Sequence, residues 1–351
     1  MHPLRGWLVL AALLSFAASA QASRGAFTVL GQWRGMGNAP LAVSLDGTLV
    51  AVTLKDVPND GLNIAVHDVW TWRRLYRVRS ANDVNAPTLV FSPDSATLCS
   101  AHTGLRCVEA RTGRETEHNV GSDGPGVSAL AFSPSGRFYA LAIVNTVNDS
   151  SLWLVDTWSK AGGWRGTPYP PTPAEGQPSN WIHSLAFSPD GKWLASGSGG
   201  GGVILRAAAT GRRLGHLSDS GAAVTPAMRA GWTAHAGAVT ALGFVSPARL
   251  VSGSRNGEVK LWNTHTGKVL SRVRLPRGLN ALRVTRDGRV LAATGEGLML
   301  LGTPGDRLKR RETLFSPQDP PTDVGVTADG RTVWTVSQGG TLTRLHLFGQ
   351  P

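Results

Sequence analysis

Histidines and one glycine-rich segment are the residues of this chain whose types could support chemistry. Of nine histidines, all but His2 follow residue 22, and no two of these stand at the spacing of metal ligands. Residues 196–202 read Ser-Gly-Ser-Gly-Gly-Gly-Gly, like a phosphate-binding loop, but they lead into an apolar strand pattern from Val203 rather than a helix. No nucleophile elbow, Walker loop or HExxH motif occurs. We therefore expect no catalytic residue, no metal and no cofactor.

A series of aspartates suggests an acidic ring of the kind that binds calcium. Each member follows a short apolar segment and stands in a turn, and the members are Asp46, Asp94, Asp190, Asp287 and Asp329. The other interpretation is that each carboxylate accepts hydrogen bonds from the backbone N–H groups of its own turn. We favour this interpretation, because the aspartates are spread one to a repeat.

These turns belong to a short sequence motif that recurs seven times. Leu185-Ala-Phe-Ser-Pro-Asp-Gly191 is a clear copy of it. The third residues of the copies are Val43, Phe91, Phe132, Phe187, Phe244, Val284 and Val326. The resulting intervals of 48, 41, 55, 57, 40 and 42 residues indicate a unit near 41 residues, lengthened in places by loops. Each unit contains four short segments of alternating or apolar pattern separated by glycine-containing turns, which predicts a four-stranded antiparallel blade.

The order of strands and turns in these units resembles that of the WD-repeat family, and the resemblance extends over about residues 24–350. It is closest in the fifth copy, where His235, Ser252, Asn256 and Trp262 occupy the positions of a structural tetrad. In the family, a His, a Ser or Thr, an Asp and a Trp at these positions form a hydrogen-bonded network that locks the blade. The resemblance implies the same network here, with the His–carboxylate link weakened because Asn256 replaces the usual Asp.

The two ends of the chain suggest how the ring closes. The last unit stops after its third strand, and residues 27–33 supply a spare strand ahead of the first unit. We predict an all-β fold, a seven-bladed β-propeller closed by an N-terminal strand, forming a single domain over residues 23–351. Covering the last open sheet edge is the physical reason for this arrangement.

The first 22 residues are typical of a signal peptide. Arg5 precedes an apolar run at residues 8–14, and Ala18-Ser-Ala20 fits the small residues that a signal peptidase recognises. The run is too short for a membrane anchor, which needs about 20 residues. We expect export to the periplasm or beyond, no membrane span after cleavage, and a monomer.

The two cysteines occupy facing positions in the second copy. Aligned to the fifth copy, Cys99 corresponds to Ser252 and Cys107 to Leu261, on neighbouring strands of one blade. Directly opposed residues bring their Cβ atoms close enough for a disulfide, so we predict one here. The alternative is a pair of small buried thiols.

Basic residues are concentrated on the fourth strands and on the turns that lead into them. The net charge is +12, which favours acidic partners. This basic rim consists of Arg73, Arg74, Arg77, Arg212, Arg213, Arg272, Arg274, Arg310 and Arg311. Because the fourth strand is outermost in a blade, the charge also protects exposed edges against aggregation, and this alternative remains open.

Two long insertions, residues 162–180 and 218–234, join a fourth strand to the first strand of the next blade and should rise from one face. Binding residues concentrate on such loops, and Trp, Tyr and Arg are the usual interface anchors. The candidate partner face consists of Trp164, Tyr169, Trp181, Arg229 and Trp232. The alternative is that both insertions are solvated linkers.

The sequence thus predicts a non-catalytic exported scaffold that binds a protein partner through loops on one face. One alternative is a binder of polyanions, either nucleic acid or acidic glycan, that uses the basic rim. Another is a propeller hydrolase or lactonase with a metal in the central channel. Such an enzyme needs converging acidic or histidine side chains around the axis, where this sequence has mostly Val, Leu and Ala.

Overall fold

The computed structural model describes residues 27–54, 63–79, 88–101, 104–116, 126–146, 149–156, 166–168, 181–218, 233–302, 307–315 and 318–347. The predicted signal peptide at residues 1–22 lies outside them. The described residues form strands and turns, and no helix among them is long and apolar enough to cross a membrane.

The strands are, in chain order, β1 (Phe27–Trp33), β2 (Met36–Val43), β3 (Leu49–Leu54), β4 (Ile64–Asp68), β5 (Arg74–Val78), β6 (Thr88–Phe91), β7 (Thr97–Ala101), β8 (Leu105–Glu109), β9 (Gly126–Phe132), β10 (Phe138–Thr146), β11 (Asp149–Asp156), β12 (Gly166–Pro168), β13 (Ile182–Phe187), β14 (Trp193–Ser198), β15 (Val203–Ala207), β16 (Arg213–Leu217), β17 (Val239–Ser246), β18 (Arg249–Ser254), β19 (Glu258–Asn263), β20 (Val269–Arg274), β21 (Ala281–Val284), β22 (Val290–Thr294), β23 (Gly297–Gly302), β24 (Lys309–Phe315), β25 (Pro321–Val326), β26 (Thr332–Ser337) and β27 (Leu342–Leu347).

The strands form seven small antiparallel sheets, and the predicted seven-bladed propeller is confirmed. Blades one to six contain, in order, β2–β5, β6–β8, β9–β12, β13–β16, β17–β20 and β21–β24, and blade seven contains β25–β27 together with β1. In the described part of blade two, three strands pair, and a bridge from Val108 to Glu115 extends the sheet. The first strand of each blade contacts the first strand of the next, and β25 contacts β2, so the ring closes around an axis.

The apolar core lies between the blades. Each of the seven clusters of buried apolar side chains joins residues of two neighbouring blades. In blade five, Leu250 packs towards blade four and Val251 towards blade six, because successive side chains of a strand point to opposite faces. Both faces of β18 are therefore buried.

Strand β1 occupies the outer edge of blade seven. It pairs antiparallel with β27, from Phe27 opposite Leu347 to Trp33 opposite Leu342, with a bulge between Val29 and Gly31. The beginning of the described chain is thereby fastened to the last blade, and β27 gains a partner on its second side.

The blade ends form two faces, because neighbouring strands run in opposite directions. The turns between first and second strands and those between third and fourth strands lie on one face, called here the turn face. In blade one, the N–H of Val69 donates to the carbonyl of Thr48 across two such turns (2.9 Å). The remaining connections lie on the opposite face, called here the loop face.

The recurring aspartates each organise a turn. In blade four, the Ser188 hydroxyl donates to the Asp190 carboxylate (2.6 Å), and the N–H of Lys192 donates to the same oxygen (3.2 Å). The same hydroxyl–carboxylate contact occurs at Asp46, Asp94, Asp287 and Asp329. Among the described residues, no group of three potential ligands converges on one point.

Cys99 and Cys107 are opposed across β7 and β8, with their Cα atoms 4.1 Å apart, and they form a disulfide. Both residues are buried in the cluster between blades two and three. The cross-link joins the second and third strands of blade two, but the alignment of Cys99 with Ser252 is wrong by one residue, because Val251 is the residue of blade five that faces Leu261.

The turn aspartates should make the stability depend on acid pH. Burial acts to raise the pKa of Asp329, but hydrogen bonds from the Thr327 hydroxyl and from two backbone amides outweigh it and hold the pKa below 3.8. A carboxylate whose pKa is lowered by folding stabilises the fold above the unfolded pKa and loses this effect as the pH falls through the folded pKa.

We therefore expect Asp329→Ala to lower the free energy of unfolding by about 1–2 kcal/mol near neutral pH, measured by urea titration. The deficit should shrink at acid pH, once the pH falls through the folded pKa and the native carboxylate is itself protonated. A deficit that is equal at both pH values would show that the carboxylate charge does not organise the turn.

Candidate functional site

The most chemically suggestive group of side chains lies in blade five. His235 precedes β17, Ser252 lies in β18, and β19 contributes Glu258 and Trp262. Since alternate residues of a strand share a face, Glu258 and Trp262 both project towards blade four, where His235 and Ser252 meet them.

The hydrogen bonds of this group form one continuous chain. The Trp262 indole N–H donates to Ser252 Oγ (2.7 Å), and Ser252 Oγ lies 2.6 Å from His235 Nε2. His235 Nδ1 lies 3.0 Å from Glu258 Oε2. A neutral imidazole with its proton on Nδ1 satisfies every contact, because Nδ1–H donates to the carboxylate and Nε2 accepts a hydrogen bond from the serine hydroxyl.

A buried lysine completes the charge balance. Lys260 Nζ lies 3.2 Å from Glu258 Oε2 and donates to the carbonyl of Ala234 (2.7 Å). The ammonium group and the carboxylate thus neutralise each other in a place where an unpaired charge would be costly. Its hydrogen bond to Ala234 also fastens the segment that carries His235.

The expectation that Asn256 stands in for the carboxylate and weakens the link to His235 is wrong. Glu258 supplies the carboxylate, two residues further along the chain. Asn256 lies in the preceding turn, where its side-chain oxygen accepts the N–H of Glu258 (2.9 Å). The period of two along β19 is the signal that could have identified Glu258, because it places this residue on the same face as Trp262.

Ser252, His235 and Glu258 have the connectivity of a hydrolase triad. A serine nucleophile must meet its substrate, however, and Ser252 has 0% of its surface exposed. Its hydroxyl oxygen also accepts a hydrogen bond from the Trp262 indole N–H, and His235 is buried as well. The arrangement can therefore lock the blade but, as it stands, cannot attack a substrate.

The basic rim lies where the outer strands predict it. Its exposed members among the described side chains are Arg73, Arg74, Arg212, Arg272 and Arg274. Arg77 and Arg213 are half-buried, and burial lowers the pKa of Arg213. The backbone of Arg310 and Arg311 belongs to β24, while their side chains lie outside the described part.

Of the predicted partner face, the structure describes Trp181 alone. This residue lies on the loop face just before β13, and its carbonyl accepts the N–H of Gly199 (2.8 Å). Its ring is half-buried, with its centroid 6.5 Å from that of His183. Trp164, Tyr169, Arg229 and Trp232 lie outside the described residues, so their part in a common surface stays a prediction.

A group of aromatic side chains that the sequence did not predict lies where blade seven meets blade one. We call Trp33, Trp70, Trp72, Trp334 and Arg344 the seam cluster. The rings of Trp33 and Trp72 stack with their centroids 3.8 Å apart, and both stack on Trp334 at 5.5 and 5.8 Å.

One sequence signal for this cluster does exist. The turn Val69-Trp-Thr-Trp72 places a tryptophan where three other blades have the glycine of their Thr-Gly turns.

Comparison with known proteins supports this description. Two segments, residues 174–205 and 228–263, match the family model described as WD domain, G-beta repeat. The first segment includes β13 and β14, and the second runs from the residues before His235 to the end of β19. No curated protein matches the chain.

The assignment of the carboxylate can be tested by a pair of substitutions. Glu258→Ala should lower the free energy of unfolding by about 3–5 kcal/mol, because it leaves Lys260 charged and buried without its partner. Asn256→Ala removes one exposed turn contact and should cost about 1 kcal/mol or less. Chemical denaturation measures both, and equal costs would contradict the assignment.

Proposed function

We propose that this chain, a seven-bladed WD-repeat β-propeller, is a non-catalytic scaffold that binds protein partners outside the cytoplasm. WD-repeat propellers are commonly scaffolds for protein interactions. The observation that carries the proposal is the burial of Ser252, whose surroundings are those of a nucleophile but whose hydroxyl is enclosed by the blade.

The rigidity of the ring suits such a role. Every junction between blades holds its own apolar cluster, and hydrogen-bonded turns tie neighbouring strands at both faces. Because such a surface is already ordered, little conformational entropy is lost when a partner binds to it. More of the contact energy therefore appears as affinity. The propeller therefore needs no rearrangement to present its loops.

The loop face is the binding surface that we propose. Residues 166–168 of the first predicted insertion form β12, so the segments that connect to this face on either side of blade four are residues 169–180 and 219–232, which lie outside the described residues. Trp181 follows the first of these segments. Aromatic side chains held at the margin of a rigid scaffold are frequent anchors of protein interfaces.

The disulfide supports export. Cys99 and Cys107 are bonded, and structural disulfides persist in oxidising compartments such as the periplasm or the extracellular space. This agrees with the signal-peptide pattern of the first 22 residues.

A photo-crosslinking amino acid at Trp181 tests the proposed surface. The matched control carries the same group at Lys192, an exposed residue on the turn face of the same blade. After irradiation in an envelope extract, we expect covalent protein adducts from position 181 and none from position 192. Equal adducts at both positions, or none at either, would overturn the proposal.

The exposed arginines of β20 favour a polyanion as a second candidate ligand. Arg272 and Arg274 both face solvent on the outermost strand of blade five. If the rim binds a DNA duplex, the charge reversals Arg272→Glu and Arg274→Glu together should lower the slope of log affinity against log salt by roughly 1.8. An unchanged slope in filter-binding titrations would exclude these residues as phosphate contacts.

A further inference from the structure

We propose that the turn face of blade one is a second docking surface, which takes an acidic segment of a protein partner that carries aliphatic or aromatic residues. This inference rests on the proposed function and adds to it a place and a partner chemistry. Its centre is formed by Trp70 and Leu45.

Two exposed apolar side chains lie on adjacent turns of this face. Trp70, in the turn after β4, is 75% exposed, and Leu45, in the turn after β2, is 44% exposed. The hydrogen bond between Val69 and Thr48 holds their two turns together.

The two residues do not occur together in blades two to four. The positions equivalent to Trp70 hold Arg111 in blade two, Trp158 in blade three and Ala209 in blade four, and those equivalent to Leu45 hold Pro93, Pro134 and Pro189. The apolar pair is therefore particular to blade one among these blades and is not a property of the repeat.

The turn that presents Trp70 is strained. Trp72 has φ of +54°, while the equivalent Gly113, Gly211 and Gly267 have φ of +74°, +66° and +69°. A bulky side chain in this left-handed region is strained and persists only where its surroundings hold it. Here the indole of Trp72 stacks against Trp33, which fixes the turn to the outer strand of blade seven.

Arg344 fixes Trp70 itself. Its guanidinium lies between two indoles, 5.3 Å from the ring centroid of Trp70 and 5.4 Å from that of Trp334. It also donates a hydrogen bond to the carbonyl of Val69 (3.3 Å). Trp70 is thus an ordered aromatic side chain that remains largely open to solvent, which is the combination found in interface hot spots.

Charges of both signs surround the pair, and Arg73, Arg111 and Arg344 outnumber Asp46 and Asp68. Arg73, beside Trp70, and Arg111, from the neighbouring turn of blade two, are both exposed. The carboxylate of Asp68 accepts hydrogen bonds from the amide and hydroxyl of Thr71 and from the amide of Trp70, which with Arg111 lower its pKa. Arg111 also lies 3.7 Å from Asp46. Acidic side chains are the groups that complement this surrounding surface.

Leu45 favours a peptide over a nucleic acid. A tryptophan with nearby arginines could also stack a base. An aliphatic side chain on the adjacent, hydrogen-bonded turn offers nothing to a phosphate or to a base edge, whereas it can pack against an apolar residue of a peptide. We therefore assign the surface to an acidic peptide segment and treat the oligonucleotide as a test outcome.

Fluorescence anisotropy with three labelled probes tests the inference on the full chain. The first probe is a pool of short peptides in which glutamate and aspartate flank two varied apolar positions. The second is the same acidic peptide with glycine at both positions, and the third is a single-stranded oligonucleotide of equal charge. We expect selective binding of members of the first pool.

Trp70→Ala should weaken this binding about tenfold to thirtyfold, and Leu45→Ser should weaken it less. The matched control is His265→Ala, at the equivalent turn position of blade five, which should leave the affinity unchanged. Because Trp70 and Leu45 are exposed, thermal unfolding should show that all three variants remain folded.

Equal binding of the glycine peptide or of the oligonucleotide would overturn the inference in favour of a general polyanion surface. Failure of the whole pool to bind, or an affinity that Trp70→Ala leaves unchanged, would also overturn it. If position 181 still captures a protein in such a case, this inference alone has failed. If that position captures nothing either, the proposed scaffold function has failed with it.

Discussion

Antiparallel pairing of β1 with β27 is the contact on which the rest of this propeller depends. A ring of sheets buries its apolar faces only when every blade has two neighbours, so the last blade must be held against the first. Blade seven achieves this by combining strands from both ends of the described chain. Each of the seven junction clusters, and each surface displayed on them, relies on that arrangement.

The junction of blades seven and one differs from the other junctions in how it is filled. Trp334 occupies a second-strand position that holds Ala51, Ala140 and Ala195 in blades one, three and four. Its indole is fully buried and stacks with Trp33 and Trp72. Large aromatic rings bury more surface than alanine can, so the place where the ring closes is also heavily reinforced. The strained turn and the exposed Trp70 are built on this support.

The recurring motif is sufficient to predict the blades, because the alternation of apolar residues along each strand and the turn residues are local properties of each repeat. The opposed positions of Cys99 and Cys107 follow from the same register. The seam cluster could not be predicted in this way, since Trp33 and Trp334 are brought together by ring closure and not by any local pattern. The role of Glu258 was not predicted for another reason. The family pattern places the carboxylate in the turn, whereas here the first residue of β19 supplies it. The partner and the compartment depend on other molecules and remain proposals.

Hydrogen exchange measured by mass spectrometry tests the closure most directly. Peptides that cover β1 and β27 should be compared with one that covers β20, an outer strand of the same kind in blade five. We expect that β27 amides exchange only through global unfolding and that the β1 amides directed at β27 are protected as well as the paired amides of β20. Exchange of β1 at the rate of an unfolded chain, with β20 still protected, would contradict a ring closed by this strand.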